Sequence, residues 1–238
     1  MAAKLIVEGL WQISLGTVNA FLIDIGSGEL TLIDSGFPDS AGKIVRAVES
    51  LGRKAADIRH IIVTHCHPDH AGSLAAIKRL TGAPVYMHAS DAAMVRKGES
   101  KRPMTAAPGL LSSLMFNLFV ARSPSKIEPC AIDYEIADGA ELLFAGGLRA
   151  LHAPGHCAGQ LVFLWPSRRV LFVADAASNL PTFGLSLGYE NLTEGLRSLA
   201  KIAALDFDVA CFGHGGAIAT QASAKFRQKW GGGGQLSG

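Results

Sequence analysis

"IIVTHCHPDHAGS", residues 61–73, places three histidines and an aspartate within six positions, directly after an apolar β-branched run. Packing gives no reason for this, because a buried imidazole or carboxylate costs free energy unless it is paired. The segment "HIIVTH" reads as a short buried strand, and from Pro68 to Leu80 the apolar positions Ala71, Leu74, Ile77 and Leu80 recur at helical intervals. The cluster therefore lies between a strand and a helix. On the extended part, alternate residues His65 and His67 point the same way, whereas Asp69 and His70 project from the turn into the helix. One loop can thus supply donors to two neighbouring points.

Other apolar runs end in the same chemistry. "LRALHAPGH" runs into His156, "RVLFVAD" into Asp175 and "DVACFGH" into His214. Strand ends that deliver histidine and aspartate are where α/β architectures usually bind ligands. Imidazole nitrogen and carboxylate oxygen suit zinc, iron and manganese, and the lack of thiolate ligands predicts an open catalytic site rather than a closed structural zinc. Single histidines are more often core or surface residues than ligands, so His60, His88 and His152 stay unassigned.

Between these motifs the chain reads as strands in quick succession: "LWQISL", "NAFLIDIG" and "ELTLIDSG", with a hairpin at Gly26–Gly28. A helix follows over residues 39–52, and further strands are predicted at "PVYMH", "AELLFAGG", "QLVFLWP" and "FDVACFGH". "NLTEGLRSLAKIAAL" reads as a helix opened by a capping box, Asn191 with Glu194. The expected organisation is one domain over residues 1–230 and a flexible tail over 231–238. Residues 98–130 break the strand rhythm. There Leu110, Leu111, Leu114, Met115, Leu118 and Phe119 recur at helical spacing between Pro108 and Pro124. This predicts a helix that either packs as core or overhangs the site as a lid, with Met115 and Phe119 as an apolar wall.

Composition narrows the function. With 49% hydrophobic residues the chain can build a substantial core, and a net charge of +2 with no long charged run argues against a nucleic-acid surface. The N-terminal stretch shows no secretory signal pattern and no apolar run is long enough to span a bilayer, so a cytoplasmic protein with reduced cysteines is expected. The sequence leaves the oligomeric state open, with a homodimer as one candidate.

The motifs "HCHPDH", "GHCAG", "VAD" and "GHG" stand in the order found in the metallo-β-lactamase superfamily, which the chain resembles from "IDSG" through His214. The resemblance implies an α+β fold, a four-layer αββα sandwich of two mixed β-sheets flanked by helices, with a metal site at one edge. It implies that His65, His67 and His156 hold one metal, that Asp69, His70 and His214 hold a second, and that Asp175 bridges both. Asp34, in "TLIDSG", matches a position that supports the ligands from behind; a plain turn aspartate is the alternative. The cofactor implied is two divalent metal ions, foremost Zn2+, with Fe or Mn as alternatives.

Two metals about 3.5 to 4 Å apart generate hydroxide at neutral pH, with Asp69 or Asp175 orienting it or carrying its proton. The expected activity is hydrolysis of an ester, lactone or thioester of a small molecule with an apolar acyl group. Alternatives within the same resemblance are a mononuclear iron persulfide dioxygenase and a β-lactam or phosphoester hydrolase. There are departures from the family pattern. Cys66 and Cys157 flank ligand positions and read as packing residues, and "GHCAGQ" lacks the proline of "GHTPG". Ser178 stands where the family's lactonases carry a tyrosine, which leaves Tyr189 as a substitute or as a packing residue.

Overall fold

The structure, a computed structural model, describes residues 3–232. It opens with an antiparallel meander, β1 (Lys4–Val7), β2 (Leu10–Ser14), β3 (Asn19–Asp24) and β4 (Leu30–Ile33). Helix α1 (Ala41–Ser50) leads to β5 (Ile58–Ile62), and the histidine loop leads into α2 (Pro68–Ala71) and α3 (Leu74–Thr81). After β6 (Val85–Met87) come α4 (Ala89–Val95), β7 (Thr105–Ala106), α5 (Leu110–Met115) and β8 (Tyr134–Glu135). The second half holds β9 (Glu141–Leu142), β10 (Leu148–His152), β11 (Leu161–Trp165) and β12 (Val170–Ala174). Short strands β13 (Ser178–Asn179), β14 (Phe183–Gly184) and β15 (Gly188–Tyr189) precede α6 (Leu192–Ala203), β16 (Val209–Phe212) and α7 (Ala222–Trp230).

Two mixed sheets result, with strand orders β1-β2-β3-β4-β5-β6-β8 and β16-β12-β11-β10-β9. Alternation along β3 shows how the layers form. Phe21 and Ile23 face the second sheet, among Phe163, Phe172 and Val209, whereas Ala20 and Leu22 face Ile44, Val48, Leu74 and Ile77 of α1 and α3. Across the second sheet, Val162, Leu171 and Ala210 pack against Leu199, Ile202 and Phe226 of α6 and α7. The order is therefore helices, sheet, sheet, helices, the αββα sandwich that the motifs imply. Among the described residues no helix is long and apolar enough to cross a membrane.

Three local expectations need correction. The stretch Pro68–Leu80 is two helices rather than one, broken at Gly72 and Ser73. A Cβ on Gly72 would lie 2.2 Å from Pro68 O and 2.5 Å from Pro38 Cδ, so the missing side chain at the break is what lets Pro38 lie against it. "AELLFAGG" is a strand only at Glu141–Leu142, then turns as a 3-10 helix that exposes Leu143. Asn191 does cap α6, its side chain accepting from the Glu194 N–H, but no return bond from the Glu194 side chain is recorded.

Within the 98–130 segment the helix expected between Pro108 and Pro124 forms as α5 followed by a π-helical turn, Phe116–Val120. It does not present its leucines to the core: Leu110, Leu111, Leu114, Leu118 and Phe119 are all exposed, and Met115 is half-buried. Phe116 is the side chain that points inward. It meets Gly188 in β15, where an added Cβ would lie 2.5 Å from the Phe116 ring. Of the expected tail, Gly231 and Gly232 follow α7, and residues 233–238 lie outside the described residues.

Candidate metal centre

Strand ends on both sheets converge on one edge. β5 leads into His65–His67, β12 into Asp175, β16 into Gly213 and His214, and the loop after β10 carries His156. The backbone is constrained at the points of delivery: Asp34 after β4 has φ 63° and Ala174 before Asp175 has φ 49°, both left-handed and unusual for residues other than glycine. The pairing of β12 with β16 slips in register between Phe172 and Ala174, immediately before Asp175.

Each expected ligand reaches this edge. Donor atoms of His65, His67 and His156 lie within 4.8 Å of one another, as do those of His65, His70 and Asp175, and those of Asp69, His70 and His214. His67 Nδ1 is 2.9 Å from His156 Nε2. His214 Nε2 lies 3.2 Å from Asp69 and 3.1 Å from Asp175. His60, His88 and His152 stay apart: His60 stacks on Phe144, and His88 stacks on His152 and caps α4.

The other nitrogen of four rings is held. His70 Nδ1 donates to Asp34 Oδ2 at 2.8 Å, His156 Nδ1 to Gly188 O at 2.7 Å, and His214 Nδ1 to Thr17 O at 2.7 Å. His65 Nδ1 lies 3.0 Å from Thr64 Oγ1. These partners hold a proton on Nδ1, so Nε2 is the nitrogen that each ring turns toward the cluster. Asp34 is thus more than a turn residue: it accepts from Thr64 N and Thr64 Oγ1 as well as from His70.

The fit to metal ions can be judged from what is left unpaired. His65 Nε2, His67 Nε2, His70 Nε2 and Asp175 Oδ1 are buried and have no hydrogen-bond partner. Leaving each one unmet costs about 1–3 kcal/mol. Four such atoms aimed at one place, all nitrogen or carboxylate oxygen, form a donor set that suits divalent zinc, iron or manganese. The electrostatics divide the cluster, and a metal binding at His70 would displace a proton. Burial pushes His67 down to about 3, so the ring is neutral at pH 7 and keeps one unprotonated nitrogen. Burial also lowers His70, but the Asp175, Asp69 and Asp34 carboxylates override it and carry it up to about 10. Asp175 is held well below the carboxylate range, burial being outweighed by His214 and His70.

Several supporting residues carried no signal in the sequence. Asp91, on α4 and fully buried, accepts from Cys66 N at 2.9 Å, Gly159 N at 3.0 Å and Cys157 Sγ at 3.0 Å. It thereby ties the loop between His65 and His67 to the loop after His156. Arg102, from the 98–130 segment, donates to Asp91 at 2.8 Å and to Glu190 at 3.2 Å, and Glu190 in turn accepts from Ala158 N. The Cys157 thiol donates to Asp91, the Cys66 sulfur lies 3.6 Å from that of Cys157, and burial pushes the Cys157 thiol well up. Gly213 is required by space: a Cβ there would sit 2.1 Å from Asp175 Oδ1 and 2.7 Å from His70 Cε1.

Of the side chains offered for substrate contact, Tyr189 takes the packing alternative and Phe119 faces solvent. Tyr189 is fully buried, and its hydroxyl donates to Ala176 O and accepts from Ser186 N. It packs beside the His156 ring and has no free hydroxyl to offer a substrate. Phe119 is 58% exposed, and Phe116 takes the inward place instead.

Comparison with known proteins agrees with this architecture. The metallo-β-lactamase superfamily profile matches residues 13–214. Uncharacterized protein YobT of Bacillus subtilis is 30% identical over 177 residues, covering 71% of this chain and 67% of that protein. A hydroxyacylglutathione hydrolase of Cereibacter sphaeroides is 28% identical over 200 residues, covering 82% of this chain; the chain spans only 61% of that relative's length. Among solved structures, a metallo-β-lactamase family protein from Thermus thermophilus superposes with a TM-score of 0.71 at 27% identity, covering 94% of this chain and 80% of that one. With the matching profile spanning most of its length and both sheets in place, the chain belongs to the metallo-β-lactamase superfamily, a family of metal-dependent hydrolases.

Proposed function

We propose that the protein is a binuclear hydrolase that cleaves an ester, lactone or thioester bond of a small molecule, in the cytoplasm. The observation that carries this is the pair of donor groups sharing one edge, with Asp175 close to both: its carboxylate oxygens lie 3.6 Å from His156 Nε2 and 3.5 Å from His70 Nε2. His65, His67 and His156 would hold one ion, Asp69, His70 and His214 the other, with Asp175 between them. Zinc is the foremost candidate; bound there, the pair would supply an acidified water and Lewis acidity toward a carbonyl oxygen.

The chain's own groups do the rest. Asp69 and His214 stand on the open side, their side chains 20% and 21% exposed, while His65 and His70 are fully buried. Substrate therefore approaches past Asp69, which is placed to orient a water or take its proton. The carboxyl of Asp69 is held low, burial being outweighed by His70 and His214, so it is ionised at neutral pH. Met104 and Phe116, packed over Gly188 beside the carbonyl that holds His156, would favour an apolar acyl group. A thioester is supported by the similarity to hydroxyacylglutathione hydrolases. A zinc- and manganese-loaded screen over thioesters, lactones, β-lactams and phosphoesters tests the reading. Turnover of a thioester or lactone that His67→Ala abolishes supports it; oxygen uptake with a persulfide on one bound iron would replace it.

A further inference from the structure

The helical segment within residues 98–130 is inside out. Leu110 (92%), Leu111 (68%), Leu114 (62%), Leu118 (52%) and Phe119 (58%) face solvent, while Ser112 and Ser113 are partly covered and Phe116 points inward. These five make up a large share of the exposed large apolar side chains of the described residues, gathered into ten positions. A patch of this kind on a soluble surface marks an interaction site.

Charge says what kind. From residue 100 to residue 127 there is no aspartate or glutamate, and residues 96–127 carry six basic side chains against one acidic, although the whole chain is only +2. Three of the basic residues, Lys97, Arg122 and Lys126, are exposed and form no ion pair among the described residues. They sit at the root of the segment, where Glu99 and Lys126 bridge its two ends. Lys101 reinforces that root by donating to the carbonyls of Val120, Ala121 and Ser123 at the end of the helix. An apolar tip over a cationic base is the pattern of a helix that lies in a lipid interface, its apolar side chains among acyl chains and its basic ones at anionic headgroups.

We infer that this segment docks the protein on an anionic lipid surface. A second copy fits less well, because a twofold contact through the same face would bring each cationic root close to its mate and set like charges together. The inference goes beyond the hydrolase reading and stands apart from it, since none of these side chains is among the candidate ligands.

The test is co-flotation of the full metal-loaded chain with vesicles of phosphatidylcholine alone and of phosphatidylcholine mixed with phosphatidylglycerol. Binding is expected to the mixed vesicles, to weaken severalfold at about 0.5 M salt, and to be weak on phosphatidylcholine alone. Leu114→Ser with Phe119→Ser should reduce it at least about tenfold, as should Arg122→Gln with Lys126→Gln; all four positions are exposed, so folding and metal content should be unchanged. His67→Ala should bind vesicles as the wild type does, which separates this inference from the catalytic one. Absence of binding to the mixed vesicles overturns it. So does a dimer in lipid-free solution that Leu114→Ser with Phe119→Ser dissolves, which would assign the face to a second copy.

Discussion

Asp34→Asn separates a residue that orients a ligand from one that merely shapes a turn. The carboxylate accepts three hydrogen bonds, from Thr64 N at 2.8 Å, Thr64 Oγ1 at 2.9 Å and His70 Nδ1 at 2.8 Å. Asparagine has the same shape and tolerates the left-handed backbone at this position. The Thr64 N–H fixes the amide oxygen at the Oδ1 place, which leaves the NH2 facing His70 Nδ1. Two donors cannot share that contact, so in the neutral ring that metal binding requires the His70 proton must move to Nε2, the atom that faces Asp69 and Asp175. In the chelated protein, where His70 is raised to about 10, the loss in stability should be about 1.5–3 kcal/mol, because a charge-assisted hydrogen bond is lost. The loss in metal affinity should be about 10–100-fold, or roughly 1.4–2.7 kcal/mol. Asp34→Ala, by contrast, strands buried donors and should cost about 3–5 kcal/mol of folding stability. Thermal melts of the chelated variants and competition against a chromophoric chelator measure the two quantities separately. If Asp34→Asn held metal as tightly as the wild type, the tautomer argument would be wrong.

Elemental analysis should find close to two ions per chain, with Asp175→Ala losing one or holding it loosely; a single tight iron unaffected by that change would contradict the binuclear proposal. Cys66→Ser and Cys157→Ser should each keep activity within about tenfold, about 1.4 kcal/mol of barrier, because both sulfurs are fully buried, against each other and, for Cys157, against Asp91, rather than on the open side of the site. Gly213→Ala should impair metal retention much more than Gly216→Ala, whose added Cβ meets nothing, and equal retention would show that the loop yields. In the metal-free protein His70 is raised to about 10, so its stabilising contribution is complete below its unfolded value of about 6.5 and is lost as pH rises toward 10. Melting temperatures of the chelated protein should therefore fall across that window, more steeply than for His70→Ala; parallel slopes would refute the assignment.

The sequence was most legible where one short stretch carried several constraints at once. "HCHPDH" announced itself because alternate and adjacent donors cannot be explained by packing, and the apolar run of "NAFLIDIG" was enough to foresee a strand, though not which sheet or helices would cover its faces. Asp91 could not be read, since its partners come from residues far away in the chain and its importance exists only after α4 has docked. Gly213 is similar: the need for a missing Cβ depends on where Asp175 ends up. The apolar spacing from Leu110 to Phe119 gave the helix correctly but not its facing, because periodicity marks a face without saying what lies against it. Tyr189 was ambiguous for the opposite reason, and burial of its hydroxyl decides for packing.

Arg102 gives the 98–130 segment a foothold inside the molecule. Its guanidinium reaches Asp91, which grips one ligand loop and the backbone beyond the other, and Glu190, which grips that second loop again at Ala158. The segment is therefore not a removable ornament. A chimera that exchanged it for the corresponding stretch of a relative without an arginine at this place would leave Asp91 buried and short of its cation, and the damage would surface in the metal loops rather than at the graft. Exchanging this segment between relatives thus requires carrying Arg102, Asp91 and Glu190 across together.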